Sequence, residues 1–300
     1  WLVKESGSLP LKAGFEWRVS HQVMKHCIGL PASDQGVLLP TQNGKLSMAR
    51  RLPLGVVGVI SPFNFPLYLA LRSVAPALAL GNAVVLKPDE RTAVCSGYVI
   101  ARIFELAGLP AGLLHVLPGG AEAGEALTLD ENIASIQFTG STQVGRMVGA
   151  NAGKTLKKVS LELGGKNSLI ILDDADIERA AENIVWGAFL HSGQICMTSG
   201  KILVQEAIYE RLKARVTEKT RQLVVGNPAQ ENVTIGPLID EKQCRRVADL
   251  VQAAVTHGAR LETGGDAQGV FFRPAVLSGV SKNNPVFHEE IFGPVAVLIP

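Results

Sequence analysis

Residues 56–88 read VVGVISPFNFPLYLALRSVAPALALGNAVVLKP. The passage opens on Val56 to Ile60, a β-branched run bounded by Gly55 and Pro62, which predicts a buried strand. A stretch of helical pattern follows, roughly Tyr68 to Leu80, and stops at Gly81. Ala83 to Leu86 is a second strand, ended by Pro88. Strand, helix and strand in immediate succession make a crossover unit, because two parallel strands need a connection long enough to carry a helix.

The same alternation extends along the chain. A helix is expected over Ala93 to Ala107, with Gly108 past its end and Pro110 beyond. Leu113 to Leu117 is a third strand. Ile133 to Phe138 is a fourth, followed by Thr139-Gly140-Ser141-Thr142 and a helix near Val144 to Ala150. Val159 to Leu163 is a fifth. The expected fold class is therefore α/β, with a Rossmann-type, doubly wound parallel sheet. Such sheets bind ligands at the C-terminal ends of their strands, and Asn64, Lys87, Gly119, Gly140 and Glu162 all fall at or just beyond those ends.

A second α/β unit begins near Gly165. Asn167 to Leu172 and Lys201 to Val204 read as strands. Ile177, Ala181, Ile184 and Ala188 mark one helical face; Ile208, Leu212 and Val216 mark another; Cys244, Val247, Val251 and Ala254 mark a third. The expected domains are 1–164 and 165–300. Within the first, residues 35–51 predict a β-hairpin turning at Asn43-Gly44.

Composition narrows the function classes. Of 300 residues, 47% are hydrophobic and 19% charged, which excludes disordered, collagen-like and coiled-coil chains. Lys plus Arg is 29 and Asp plus Glu is 27, a balance that predicts no nucleic-acid or membrane-surface partner. The 20 uncharged residues from Leu52 to Leu71 are long enough to span a bilayer, but Pro53, Pro62 and Pro66 break any continuous helix there. Cys27, Cys95, Cys196 and Cys244 form no CxxC pair and no zinc spacing, so free thiols in a reducing, cytoplasmic setting are expected. No histidine has metal-ligand spacing, so no metal is expected. The chain opens on Trp1 without a signal-peptide pattern and stops at Pro300, directly after the apolar run Val295 to Ile299. A buried strand needs neighbours on both sides, so the chain reads as an internal piece of a longer protein.

A few residues are placed for chemistry. Cys196 lies in Ser192-Gly193-Gln194-Ile195-Cys196-Met197-Thr198-Ser199-Gly200, where glycines and polar residues make a turn rather than a core. An isolated cysteine is more often a packing residue than a nucleophile, and this context brings the two readings near even. Asn64, fixed between Pro62 and Pro66, offers a side-chain amide to an oxyanion; it also suits a plain turn. Glu162 sits between Leu161 and Leu163, where burial would raise its pKa toward that of a general base, or else it is an edge-strand glutamate facing water. Gly140-Ser141-Thr142-Gln143-Val144-Gly145 opens a helix whose N-terminus suits a phosphate, although the spacing is not the GxGxxG fingerprint. Lys87 and Glu90 follow a strand and offer partners for ribose hydroxyls, or are two exposed turn charges. His191 lies five residues before Cys196, a spacing that does not share a helical face, and is read as a packing or polar residue.

In this order the motifs resemble the NAD(P)-dependent aldehyde dehydrogenase superfamily. The resemblance rests on Ser61-Pro62-Phe63-Asn64-Phe65-Pro66, Phe138-Thr139-Gly140-Ser141-Thr142, Glu162-Leu163-Gly164-Gly165-Lys166, Gly193-Gln194-Ile195-Cys196 and Glu289-Glu290-Ile291-Phe292-Gly293-Pro294. It covers nearly the whole chain and is most secure from Arg50 onward. It implies that Cys196 is the nucleophile, Glu162 the general base, and Asn64 with the Cys196 N–H the oxyanion site. It implies an NAD site, with NADP as an alternative, made by Ile60, Ser61, Pro62, Phe63, Lys87, Glu90, Gly119, Phe138, Gly140, Ser141, Gly145, Leu163, Glu290 and Phe292. In that set Lys87 and Glu90 hold the adenosine ribose, Ser141 and the Gly140–Gly145 turn meet the pyrophosphate, and Glu290 holds the nicotinamide ribose with Phe292 nearby. The charge of Glu90 favours NAD, because it repels a 2′-phosphate. The hairpin resembles the family's oligomerisation arm, which implies a homodimer or homotetramer. The substrate implied is an aldehyde. The wording around Ser61 and Cys196 looks like the benzaldehyde and vanillin dehydrogenase branch, and Phe63, Ile195 and Met197 favour an apolar pocket. The rival readings are a CoA-acylating relative, against which Glu162 speaks, and a non-catalytic NAD-binding relative, against which Cys196, Glu162 and Asn64 speak together.

Overall fold

The computed structural model describes residues 1–42, 44–230 and 232–300. The chain divides into two compact units: Trp1 with Gly14–Glu162, and Leu2–Ala13 with Leu163–Pro300. The short N-terminal piece Leu2–Ala13 thus groups with the second unit, where the sequence reading had placed it in the first. Its grouping rests on contacts far along the chain: Gly7, at φ +64°, lies where a Cβ would come 2.6 Å from the Pro237 ring.

The first unit carries β1 (Gly36–Leu39), β2 (Ser47–Arg50), β3 (Val56–Ile60), β4 (Ala83–Lys87), β5 (Leu114–Val116), β6 (Ile133–Gly140) and β7 (Lys158–Leu163). The last five form one sheet in the order β5-β4-β3-β6-β7. Strands β3, β4, β5 and β6 pair in parallel. Val57, Val59, Val84, Leu86 and Ile136 are buried at its centre. Each fully buried aliphatic side chain of this kind contributes about 1.5–3 kcal/mol. β1 and β2 pair antiparallel from Gly36↔Arg50 to Leu39↔Ser47. Of the expected turn, Asn43 lies outside the described residues.

The helix after β3 runs over Pro66–Ala79, two residues earlier than its apolar pattern indicates. Proline at the first helical position explains the shift, since its missing N–H is no loss there. The helix has no side-chain cap of its own. Its Leu67 and Tyr68 amides donate to Glu16 Oε1 at 2.8 and 3.2 Å, and Glu16 is fully buried. Glu16 comes from the helix Pro10–Ile28, which the sequence reading did not find: its face mixes Lys12, Glu16 and Ser20 with apolar residues and so lacks a clean stripe. Glu16→Ala should lower unfolding stability by roughly 2–4 kcal/mol, because two buried amides lose a charged acceptor. Glu16→Gln keeps an oxygen in place and should recover part of that loss; equal urea midpoints for wild type and Glu16→Ala would exclude the cap.

The helix expected over Ala93–Ala107 is not continuous. A short turn over Glu90–Thr92 leads into a wide π-type turn over Val94–Tyr98, and a regular α-helix follows over Val99–Leu106. The Ser96 hydroxyl donates to the Thr92 carbonyl at 2.7 Å, competing with the helical ladder. Gly97 presses against the sheet: a Cβ there would lie 2.9 Å from Val116 and 3.0 Å from Pro88.

The second unit carries β8 (Ser168–Ile171), β9 (Lys201–Val204), β10 (Arg260–Thr263), β11 (Ala267–Gln268), β12 (Phe271–Phe272), β13 (Ala275–Ser278) and β14 (Val295–Ile299). Its main sheet has the order β10-β13-β14-β9-β8, parallel except for the antiparallel β10–β13 edge. β14 is buried at every residue. Ala296 and Leu298 join a core with the helices Ile177–Phe189 and Glu206–Arg221, while Val295, Val297 and Ile299 join a second core with the helix Glu241–Thr256. Burial on both faces is why β14 reads as an unbroken apolar run. Among the described residues no helix is long and apolar enough to cross a membrane.

Candidate active site

In the first unit the C-terminal ends of the strands line up as one row. Ile60 pairs with Lys87 on one side and with Phe138 on the other. The loop beyond Ile60 is stitched to the loop beyond Lys87: the Ser61 amide donates to the Lys87 carbonyl at 3.1 Å. The Arg91 guanidinium stacks over the Phe63 ring at 4.6 Å and is itself held bidentate by Asp89, at 2.9 and 2.8 Å. Asn64 is buried at the end of this loop, two residues before the Glu16-capped helix begins at Pro66. Glu90 is exposed, and its carboxylate lies beside Gly120, which precedes the helix Ala121–Leu129. Gly119 admits no side chain, since a Cβ would come 2.8 Å from that of Ala123. The rim residues of β3, β4 and β5 thus converge as expected.

The end of β6 adds a helix N-terminus. Ser141 caps the helix Thr142–Lys154 by accepting the Val144 amide at 3.3 Å, and the Gly145 amide donates to the Ser141 carbonyl at 2.9 Å. The Phe138 ring folds over Gly140, where a Cβ would lie 2.5 Å away, so only glycine leaves this approach open. A helix N-terminus reached past a bare glycine suits a phosphate.

Of its two sequence readings, Glu162 meets the edge-strand one. It lies on β7 at the edge of the sheet and faces water, with 60% of its side chain accessible, and its Oε2 takes the Arg72 guanidinium at 3.2 Å. Strand alternation is the reason: Leu161 and Leu163 share one face of β7, and Glu162 points to the other. Arg72 also donates to Thr139 Oγ at 3.2 Å. Arg72 was missed in the sequence because one cation within an apolar helix carries no pattern of its own.

In the second unit Cys196 is the exposed one among four free cysteines; Cys27, Cys95 and Cys244 are buried. Burial pushes the Cys27 and Cys244 thiols up, away from thiolate. Cys196 follows a turn of unusual shape. His191, Ser192 and Gly193 have φ of 49°, 55° and 68°, three consecutive left-handed residues. Non-glycine residues avoid that region, so surrounding contacts must hold them there. The Ser192 hydroxyl donates to the Gly236 carbonyl at 2.8 Å. Gln194, fully buried, accepts the Ile239 amide at 2.9 Å and donates to the His191 and Pro237 carbonyls at 3.3 and 3.4 Å. Gly193 is pressed so closely to the Gly293 carbonyl that a Cβ would overlap it. Beyond the turn, the Asn167 amide donates to the Cys196 carbonyl at 2.7 Å and to the Thr198 carbonyl at 3.2 Å. Ile195 is buried and Met197 exposed.

The segment carrying Glu290 and Phe292 is held by the helix Glu241–Thr256. Arg246 donates to the Glu290 and Ile291 carbonyls, both at 2.7 Å, and Gln243 donates to the Phe292 carbonyl at 2.8 Å. Phe292 has φ +52°. The Glu290 carboxylate rests on Gly164, where a Cβ would overlap it, and accepts the Gly165 amide.

Comparison with known proteins fixes the class. A model of the aldehyde dehydrogenase family matches residues 1–300. The chain belongs to this family. Vanillin dehydrogenase of Amycolatopsis sp. is 53% identical over 296 residues, covering 99% of the chain and 61% of the relative. Benzaldehyde dehydrogenase [NAD(+)] of Pseudomonas putida is 48% identical over 297 residues, again covering 99% and 61%. The crystal structure of a NAD-dependent benzaldehyde dehydrogenase from Corynebacterium glutamicum superposes with a TM-score of 0.94 at 40% identity, covering 100% of the chain and 66% of that structure. The chain thus spans about three fifths of the length of the curated relatives it matches.

Membership of the aldehyde dehydrogenase family gives the sequence motifs their physical sense. The paired glycines Gly164-Gly165 seat Glu290, and Gly193 lets the turn before Cys196 close on Gly293. The positioning side chains Ser192, Gln194, Asn167, Gln243 and Arg246 were not singled out in the sequence. Each acts through backbone carbonyls or amides of distant segments, and such contacts leave no local signal.

Proposed function

We propose that the whole protein oxidises an aromatic aldehyde to the carboxylic acid with NAD. The observation that carries the reading is the exposed Cys196 on a locked turn, in a chain about half identical to a vanillin and a benzaldehyde dehydrogenase.

The residues present fit the cofactor. Among the described residues, Ser61 Oγ and Glu290 Oε1 are buried polar atoms without a hydrogen-bond partner, and both belong to the expected NAD set. The Ser141-capped helix offers amides to the pyrophosphate, Lys87 and Glu90 hold the adenosine ribose, and Glu290 holds the nicotinamide ribose beside Phe292. Ile60, Pro62, Phe63, Gly119, Phe138, Gly140, Gly145 and Leu163 complete the contacts. The exposed carboxylate of Glu90 disfavours a 2′-phosphate, so NAD is preferred to NADP. When bound, NAD supplies the hydride acceptor.

In this reading the first unit binds NAD and the second carries the nucleophile. The Cys196 thiolate adds to the aldehyde carbonyl and forms a thiohemiacetal. Its oxyanion is stabilised by the Asn64 amide and the Cys196 N–H. Collapse of the oxyanion expels the hydride and leaves a thioester on Cys196. Glu162 takes a proton from water, the hydroxide attacks the thioester carbonyl, and the acid leaves as the thiolate is restored. The buried Ile195 and exposed Met197 flank the nucleophile with apolar surface, which suits an aromatic ring. The exposed Val37, Leu38, Leu39 and Met48 of the hairpin β1–β2 are apolar surface for a second copy of the chain, in a homodimer or homotetramer.

NADH formation by the complete protein, with benzaldehyde and a short aliphatic aldehyde, each with and without CoA, tests the reading. Turnover that favours benzaldehyde and ignores CoA is expected; a strict requirement for CoA would overturn it. Glu162→Gln should keep a burst of NADH equivalent to one turnover and then slow by roughly 10²–10⁴-fold, the usual size of a lost general base. Unchanged steady-state turnover would remove Glu162 from the role.

A further inference from the structure

A buried cation and a buried carboxylate line one small cavity in the second unit, together with Thr198, Ser199, Gly200 and Phe292. Lys166 runs its stem over Gly200, where a Cβ would stand 3.1 Å from Lys166 Cδ. Glu290 lies on Gly164 and accepts the Gly165 amide. Lys166 Nζ and Glu290 Oε1 are both buried, and neither has a hydrogen-bond partner among the described residues. A lone buried charge is costly, and two opposite ones in a shared cavity lower each other's cost.

We propose that Lys166 is the positioning residue for Glu290: its ammonium keeps the Glu290 carboxylate charged and seated on Gly164-Gly165, leaving Oε1 open to a ribose hydroxyl. The last clause rests on the NAD reading above; the Lys166–Glu290 relation does not.

The charges around the pair are few. Burial lowers the Lys166 ammonium to about 8; Lys201 pushes the same way, and Glu290 and Glu289 oppose. Burial raises the Glu290 carboxyl, opposed by the Gly165 amide, Arg246 and Lys166. Lys201 is drawn aside, its Nζ lying 4.5 Å from the Phe287 ring centroid. Lys166 therefore sheds its proton as pH rises through about 8, and Glu290 then keeps Arg246 but loses the second of the two cations that hold it charged. Cofactor affinity should fall as pH rises through about 8.

The test uses Lys166→Met, Lys166→Arg and Glu290→Gln in the complete protein. NAD binding is followed by fluorescence between about pH 6 and 10. Wild type should lose affinity through pH 8. Lys166→Met should bind about tenfold more weakly at neutral pH and show no such inflection, the loss expected for one buried charge interaction. Lys166→Arg, charged throughout, should keep the affinity and remove the inflection. In a Glu290→Gln background Lys166→Met should cost nothing further. A lysine that merely fills space predicts a Met variant with the wild-type pH profile, or losses that add in the double variant, and either result overturns the proposal. The second readout needs no cofactor. The titration of the isotopically methylated Lys166 amine, followed by NMR, should move down in Glu290→Gln, because the carboxylate that holds the proton is gone. An unmoved titration overturns the proposal even if NAD binds. Absence of NAD binding with a moved titration overturns only the cofactor reading.

Discussion

Replacement of Cys196 by alanine should abolish aldehyde oxidation, by on the order of 10⁴-fold or more, while leaving NAD affinity unchanged. The size follows from the chemistry: without the sulfur there is no thiohemiacetal, and hydride would have to leave a free aldehyde hydrate. The selectivity follows from the structure. Cys196 is exposed, so its truncation opens no buried cavity, and its backbone is held by Asn167 at the carbonyl. The alanine variant should therefore melt within about half a kcal/mol of wild type, as exposed substitutions do. Rapid-mix measurement of NADH would settle the point: a residual burst of one equivalent in Cys196→Ala would show that another group carries the acyl chain. Cys27, Cys95 and Cys244 are buried and serve as internal controls, since alkylation in the folded protein should reach Cys196 first.

Gly193→Ala should be the most damaging small substitution near the site. Two costs add. An alanine at φ +68° pays about 1–2 kcal/mol for the left-handed backbone. Its Cβ also overlaps the Gly293 carbonyl, and a backbone atom yields far less readily than a side-chain end. Overpacking of this kind costs a further ~1–3 kcal/mol. Gly279→Ala separates the two terms: its φ is +64°, yet the nearest atom to an added Cβ is the Gly258 carbonyl at 3.9 Å, so only the backbone cost applies. Urea unfolding should rank wild type above Gly279→Ala above Gly193→Ala. Where Gly193→Ala folds, turnover should fall about 10²-fold, because a nucleophile displaced by about an ångström loses its approach geometry. Equal stability of the two alanine variants would show that the turn relaxes away from Gly293.

The sheet cores were legible because they obey periodicity. β14 is an apolar run buried at every residue, β3 is apolar around Gly58 with a buried centre, and β4 buries Val84 and Leu86; the start of β3 and the end of β4 match the punctuation of Gly55 and Pro88. The chemical residues were legible as motifs, since glycine and proline mark the turns that carry them. Other features were not. Glu162 stayed open between a buried base and an edge-strand residue facing water, because its leucine neighbours point the opposite way along a strand and cannot decide it. The helix Pro10–Ile28 was missed because its buried positions include Lys12, Glu16 and Ser20, whose value lies in hydrogen bonding rather than hydrophobicity. β10 to β13 went unread because they are short and broken by Gly264, Gly265 and Gly269. The wide turn at Val94–Tyr98 answers to packing against β5, a contact that helical periodicity does not encode.

The left-handed turn before Cys196 also orders events in time. Its anchors are Gly236, Pro237 and Ile239, and its floor is Gly293, a hundred residues further along the chain than Gly193. A segment emerging from a ribosome cannot hold His191 and Ser192 at positive φ until those later residues have been made and β14 has docked. Closing so long a loop is slow and comes late, after the local helices have formed. The thiol is therefore synthesised early and configured last. A nascent or half-folded molecule carries Cys196 on a slack segment, and the locked turn that presents it arrives together with the finished sheet.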